Sequence, residues 1–345
     1  MRQLIFGLVL LLAVLFTINH FTQVEDILDV LQHSDWRFFL LAVAVEGLWI
    51  MAYAATFFAV FRALGIRRRL LPLIPLAVAT NFVNVIAPAA GMSGLAYLVS
   101  EARRNHFSSA HTTVAGALVV LADYCGFAFF LVLGLFVLFR RGDLSATEIF
   151  ASGLLFSMGV VLAALLYLGM KSARALGRAL RWMAHSVNRI LHPFIRRDYL
   201  SEEHAEHFAH DAAEGLSQVR RQPKKLLLPL LFSVLAKAIL LSVLMLMFLA
   251  FRVPLSLGTL VAAFAIGYLF FIISPTPAGI GMVEGLLTLS LTSMFVPVDQ
   301  AAVVVLGYRA VTFWLPLFLG MLSFQLLHLK KPIVTEEPSS APQTN

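Results

Sequence analysis

Six apolar runs, near residues 2–18, 38–61, 111–138, 149–169, 226–250 and 300–327, approach or exceed the length that crosses a membrane. About 20 apolar residues span the ~30 Å hydrocarbon layer as a helix. Lipid offers no water to unpaired backbone groups, so only helices and closed barrels can cross it. A barrel would show alternating strands of ~10 residues, and the chain has no such pattern. With 60% hydrophobic and 13% charged residues, the composition excludes an ordinary soluble domain. The expected fold class is all-α: a polytopic membrane helix bundle with inverted repeats and two broken or re-entrant helical hairpins. The first run follows Met1-Arg2 and ends at Thr17-Ile18-Asn19-His20. It lacks an Ala-x-Ala-like exit and reads as an uncleaved span rather than a signal peptide.

Two regions between these runs do not read as ordinary spans. One, from Leu71 to Ser100, is broken at Pro88, Gly91 and Gly94. The other, from Leu257 to about Phe295, is broken at Pro275, Pro277, Gly279, Gly281 and Gly285. Proline removes a backbone donor and clashes with the preceding turn, and glycine favours non-helical backbone. The piece after Pro88 is about 12 residues, roughly 18 Å of helix, too short to cross. Each region is therefore expected to be a helical hairpin that enters and leaves on one side. The same prolines and glycines also serve a plainer purpose, close helix crossing and a turn.

Lysine and arginine orient the chain. The loop with Glu25, Asp26, Asp29 and Asp35 is acidic and reads as external. Arg67-Arg68-Arg69, Arg103-Arg104, the stretch from Lys171 to Lys225 and Lys330-Lys331 read as cytoplasmic. Both termini are then expected inside the cell membrane, with Arg140-Arg141 and Arg252 dissenting. The net charge of +7 is a positive-inside signature, and no nucleic-acid partner is expected.

An internal repeat joins the two broken regions. Pro88 and Gly94 recur as Pro275 and Gly281, each 187 residues later. After a one-residue slip, Asp123 matches Arg309 and Gly134 matches Gly320, each 186 later. One integral membrane domain, 1–330, is expected, with repeat one about 38–140, a basic connector 171–225 and repeat two about 226–328; residues 331–345 form a disordered tail. By the topology the hairpins enter from opposite sides, so the halves are inverted. Inverted repeats with broken helices meeting at the midplane are a transporter pattern.

Charges within spans cost roughly 2.5–3.5 kcal/mol each at the bilayer centre on insertion scales. Here they are Glu46, Asp123, Lys237, Glu284 and Arg309. Asp123 and Arg309 occupy matched repeat positions with opposite signs, so a direct pair or a shared polar cavity is expected. Glu46 and Lys237 sit at roughly matched places before the hairpins, again opposite in sign. Two roles stay open: ion pairs holding the bundle together, and the lining of a substrate path. Asn81 and Asn84 precede Pro88, and Ser274 and Thr276 flank Pro275. Half-helix N-termini there present unpaired N–H groups to a phosphate or carboxylate.

The connector carries Ala173, Leu176, Leu180, Met183, Val187 and Ile190 at helical spacing, with Lys171, Arg174, Arg178, Arg181 and Arg189 around them. It reads either as a helix lying on the inner leaflet or as a solvated continuation of the preceding span. His204, His207 and His210 share a face near Glu203 and Glu206, which reads as a solvated polar face, and no metal is expected. Cys125, the single cysteine, reads as a small core residue.

The stretch Ser274-Pro-Thr-Pro-Ala-Gly-Ile-Gly-Met-Val-Glu284-Gly285, with Gly307-Tyr308-Arg309 and Phe313-Trp314-Leu315-Pro316 after it, resembles the transmembrane region of lysylphosphatidylglycerol synthases. That region is the flippase portion of the multiple peptide resistance factor and its stand-alone relatives. The resemblance covers residues 1–330. It implies movement of an aminoacylated or otherwise polar lipid from inner to outer leaflet, and it carries over Glu284 and Arg309, with Tyr308 beside them in the motif. Many relatives have a Gly-Glu and a following Arg after the first-hairpin proline; here Gly94-Leu95-Ala96-Tyr97 stands instead, which leaves the lipid open. Only about 15 residues follow the last span, so no aminoacyl-transferase domain and no enzymatic activity are expected.

These readings lead to a lipid flippase or transporter working by alternating access, with Glu46, Asn81, Asn84, Asp123, Lys237, Ser274, Thr276, Glu284, Tyr308 and Arg309 as substrate-path candidates. The cations would neutralise a phosphate, and the carboxylates would hold a cationic headgroup or take part in proton coupling. Expected partners are anionic or aminoacylated phospholipids, with a separate lipid-modifying enzyme and a homo-oligomer left open. No cofactor is expected, and no Gly-x-x-x-x-Gly-Lys-Ser/Thr loop points to ATP drive. The alternatives are a small-solute or ion transporter and a non-transporting subunit that supports a lipid-modifying enzyme. A membrane-embedded enzyme with Glu284 as acid or base lacks an accompanying nucleophile or metal constellation.

Overall fold

The computed structural model describes residues 34–66, 68–87, 92–104, 109–195, 202–274, 276 and 279–329. The first expected span, Glu25, Asp26 and Asp29 of the acidic loop, Pro88, Gly91, Pro275, Pro277 and the tail lie outside them. Among the described residues all regular structure is helical, and five helical stretches are long and apolar enough to cross a membrane.

Helix α1, Trp36–Ala63, starts at Asp35, whose carboxylate accepts from the Arg37 N–H at 3.1 Å. A short carboxylate at this place satisfies a donor that the first turn leaves unpaired. The first broken region forms α2, Leu70–Ile86, and α3, Met92–Arg104. Helix α4, Ser109–Arg141, is followed by α5, Ala146–Lys171, which opens with a reciprocal cap between Ser145 and Glu148. The connector forms α6, Ala173–Ile195, and α7, Glu202–Arg221. Helix α8, Leu227–Ala250, leads into the second broken region, α9, Leu257–Ile273, and α10, Met282–Ser293. The last span is α11, Val298–Arg309, a π turn at Ala310–Trp314, and α12, Leu315–Leu329. Pro316 explains the widened turn. It offers no N–H to the carbonyl of Thr312 and its ring crowds that carbonyl, so the helix opens locally.

Both broken regions pair a 17-residue helix with a shorter one of 13 or 12 residues. At 1.5 Å per residue these rise ~25 Å and ~18–20 Å. Two of the expected breakers lie elsewhere than the break. Gly285 is inside α10 with open space around it, and Gly94 sits in the first turn of α3. Gly279 and Gly281, at φ 69° and 81°, make the actual bend into α10. That left-handed region strains any residue with a Cβ.

Helices α1 and α8 pack on each other and run antiparallel, with the Asp35 N–H donating to the Ala250 carbonyl at 3.0 Å. Helix α4 packs on α9, and α12 packs on α2. Glycines permit both of these contacts: a Cβ on Gly134 would strike Ala265, and one on Gly320 would lie 2.5 Å from Phe82 Cβ. Asp35, the end of α4 and the start of α9 gather at one end of the bundle, where Arg141 donates to Thr259 at 3.2 Å and to Ser256 at 3.4 Å. At the other end Arg220 donates to the Met170 carbonyl at 3.4 Å.

One of the two expectations for the connector is corrected. Ser172 is extended (φ −162°, ψ 123°), so α6 does not continue α5. Helix α7 packs on α4, α5 and α6, burying Ala209, Ala212, Leu216 and Val219 in a cluster with Leu176 of α6 and Val114 of α4. Of the connector's apolar stripe, Leu176 is thus buried in protein contacts and Leu180 packs against the same cluster. His210 is exposed, and the side chains of His204 and His207 lie outside the described residues. Cys125 is exposed rather than in the core. It stands with Phe129, Val132 and Phe136 on the outward face of α4, which an apolar solvent accepts as readily as the interior does.

Candidate functional site

Among the described residues, two cation–carboxylate pairs link different apolar helices. In the second half, Arg309 Nε donates to Glu284 Oε1 at 2.7 Å, and the Arg309 guanidinium lies 4.4 Å over the Phe313 ring. The π turn places Phe313 there. Glu284 Oε2 also accepts from the Gly281 N–H at 2.8 Å, so one carboxylate closes the first turn of α10 and ties it to α11. Before this turn, Ser274 caps α9, its hydroxyl lies 2.8 Å from that of Thr276, and the Thr276 hydroxyl donates to the Ile280 carbonyl at 3.2 Å. Hydroxyls substitute for the helix ladder where the chain bends.

The other pair joins the halves. Lys237 of α8 donates to Asp123 Oδ1 of α4 at 2.5 Å and to the Tyr268 hydroxyl of α9 at 2.5 Å. The Tyr268 hydroxyl reaches Asp123 Oδ2 at 3.4 Å. Tyr53 of α1 lies within electrostatic reach of Asp123, and Tyr308 of α11 within reach of Tyr268, Arg309 and Glu46. Asp123, Lys237 and Tyr268 thus form one hydrogen-bonded cluster that draws on α4, α8 and α9 within a largely apolar bundle.

Of the two arrangements left open for Asp123 and Arg309, the direct pair is not formed. Asp123 pairs with Lys237, not Arg309, and Arg309 pairs with Glu284. Lys237 does not pair with Glu46. The Glu46 side chain is fully buried on α1, and neither carboxylate oxygen has a hydrogen-bond partner among the described residues. The N–H groups expected to greet an anion are partly taken: Gly281 by Glu284, and Gly94 by Asn84, whose Oδ1 accepts from the Gly94 N–H at 2.6 Å and the Ser93 hydroxyl at 3.0 Å. Asn84 thus staples α2 to α3. Asn81 is partly buried on the same helix, one turn earlier.

Sequence reasoning missed Tyr268, Tyr53 and Phe313. For Tyr268 a signal existed, since the 187-residue offset that relates Pro88 to Pro275 also relates Asn81 to Tyr268.

The pairs are not symmetric toward their surroundings. Lys237 and Arg309 side chains are 1% and 6% exposed, Asp123 and Glu284 are 23% and 26% exposed. The carboxylates form the accessible side of each pair, the cations the buried side. A cationic group arriving from outside would meet carboxylate first, and an anionic one would have to draw the cation out. Burying such pairs is expensive unless hydrogen bonds complete them. The Tyr268 hydroxyl and the Gly281 N–H do so.

No curated protein matches the chain. Residues 4–320 match the family model described as the lysylphosphatidylglycerol synthase TM region. That match takes in both broken regions, the two ion pairs and the connector, and the chain belongs to this family.

Proposed function

We propose that the chain is a lipid flippase or transporter that moves a polar or aminoacylated phospholipid between the leaflets of the cell membrane by alternating access. The observation that carries this reading is the pair of compensated ion pairs, one joining α4 to α8 and one joining α10 to α11, with the carboxylates as their accessible members. Intramembrane charges are costly and rarely idle. Family membership supports the same reading, as does the reciprocal packing of α4 on α9 and α12 on α2, with Gly134 and Gly320 at matching contacts. Two inverted halves then rock around the polar cluster. Both termini are cytoplasmic, the hairpins enter from opposite sides, and the protein itself makes no covalent change to the lipid. A separate lipid-modifying enzyme would supply an aminoacylated cargo.

Purified protein in liposomes, with fluorescent lipids of several headgroups and an outer-leaflet quencher, tests this. Faster transbilayer movement of particular headgroups, lost in folded Glu284→Gln or Arg309→Ala, is the expected result. No movement above protein-free liposomes for any headgroup, with or without a proton gradient, would sink the proposal.

A further inference from the structure

Glu46 is the one intramembrane charge-bearing side chain of the expected five that the pairs leave out. It sits near the middle of α1, fully buried, with both oxygens unpartnered. One turn further along, the Trp49 indole N–H is also buried without a partner, so not even this donor reaches the carboxyl.

Among the described residues, no cation from the elements packed against α1 reaches hydrogen-bond distance of the carboxyl. From α8 the charged group is Lys237, already held by Asp123 of α4 and Tyr268 of α9. From the last span the groups are Tyr308, within electrostatic reach of Glu46, and Arg309, bonded to Glu284. Helix α2 carries no charged side chain, α4 contributes Asp123, already bonded to Lys237, and Tyr124, and α1 itself contributes Tyr53. An ionised carboxylate buried with no donor or cation among the described residues to pair it carries a desolvation cost of several kcal/mol. A neutral carboxylic acid does not.

We propose that Glu46 is a proton-carrying site, protonated while α1 and α8 are packed together and released when the halves part. This rests on the alternating-access reading above and adds its energy source. When α1 and α8 separate, water reaches the carboxyl, its O–H bond breaks and the proton passes to that water. Repacking requires the O–H bond to form again, because the ionised group cannot be buried alone. Closing the bundle takes up one proton and opening releases one. If opening faces one side and proton uptake the other, each cycle moves one proton across the membrane, and a proton gradient biases the direction of lipid movement.

The test uses the full chain in liposomes and has two readouts. Infrared difference spectra of the wild type between acidic and alkaline buffer report the carbonyl band of an unhydrated carboxylic acid, whether or not lipid moves. The fluorescent-lipid assay, run with and without a pH step of about one unit, which changes proton activity tenfold, reports coupling. The expected result is a carbonyl band that Glu46→Gln removes, and a wild-type rate that changes severalfold with the pH step, a dependence that Glu46→Gln abolishes. Should Glu46→Gln fold poorly, Glu46→Leu removes the carboxyl without leaving an unpaired amide. A band unchanged by these variants, or a variant as responsive to the gradient as the wild type, overturns the proposal while leaving lipid translocation intact. Absence of any lipid movement in the wild type, with the Glu46 band present, overturns the coupling and the translocation reading together, leaving Glu46 a buried structural acid.

Discussion

Replacing Asp123 by Asn should destabilise the bundle far more than replacing both Asp123 and its partner. Lys237 is 1% exposed and its ammonium lies 2.5 Å from the Asp123 carboxylate. Removing one member of a buried pair typically costs about 3–5 kcal/mol, because the other charge is left uncompensated. Here the Tyr268 hydroxyl remains 2.5 Å from the ammonium. That places Asp123→Asn at the lower end, about 3 kcal/mol. Lys237→Met strands a carboxylate instead, but one that is 23% exposed and still near Tyr268. Its loss should be about 1–2 kcal/mol. With both changes no unpaired charge is left, and the double variant should lie within about 2 kcal/mol of the wild type. The coupling energy is then at least about 2 kcal/mol. Equilibrium unfolding of the four proteins in mixed detergent micelles measures it as a double-mutant cycle. Single effects that simply add, within about 0.5 kcal/mol, would refute the reasoning. They would show that Lys237 does not depend on Asp123 for its compensation.

Gly134→Ala and Gly320→Ala should each lower stability by about 1–3 kcal/mol, since the new methyl meets Ala265 or Phe82 across a closed helix contact; thermal unfolding in micelles checks this, and a neutral result for both would argue against the tight packing of α4 on α9 and α12 on α2. Gly285→Ala meets nothing within 4 Å inside α10, and the same assay should show it neutral or stabilised by about 0.4–1 kcal/mol. Arg309→Lys keeps the charge but loses the Nε–H donor to Glu284 and the flat face over Phe313; lipid movement should fall about tenfold with the protein still folded, and wild-type movement in this variant would mean that charge alone suffices.

Much of the architecture was readable before any coordinates, and for identifiable reasons. A run such as Trp36–Ala63 has no choice in lipid, because every other backbone arrangement leaves polar groups unpaired. The two interruptions were equally legible, since proline and glycine act through local sterics that depend on little beyond the neighbouring turn. Their exact place was not: Gly285 reads as a breaker, yet it lies within α10 because glycine is only permissive and Glu284 caps the helix one residue earlier. The five intramembrane charges could also be found by inspection, as residues that lipid makes costly.

What the chain alone could not say is who meets whom. Asp123 and Arg309 stand at matching places of the expected repeat, but a matching place in sequence does not bring two side chains into contact. The structure gives each a different partner, Lys237 and Glu284. Which face of an apolar helix turns inward is likewise invisible where the surroundings are apolar on both sides, and so Cys125 faces outward on α4. Tyr268 enters the site through the rotation of α9 against α4 and α8, and Glu46 is left without a partner by the rotation of α1. Sequence determined the helices, their breaks and the inventory of charged groups, because these follow from local sterics and the cost of polar groups in lipid. Tertiary structure decided the pairings, because a hydrogen bond of about 3 Å requires the relative rotation and depth of two helices, and no single helix encodes either.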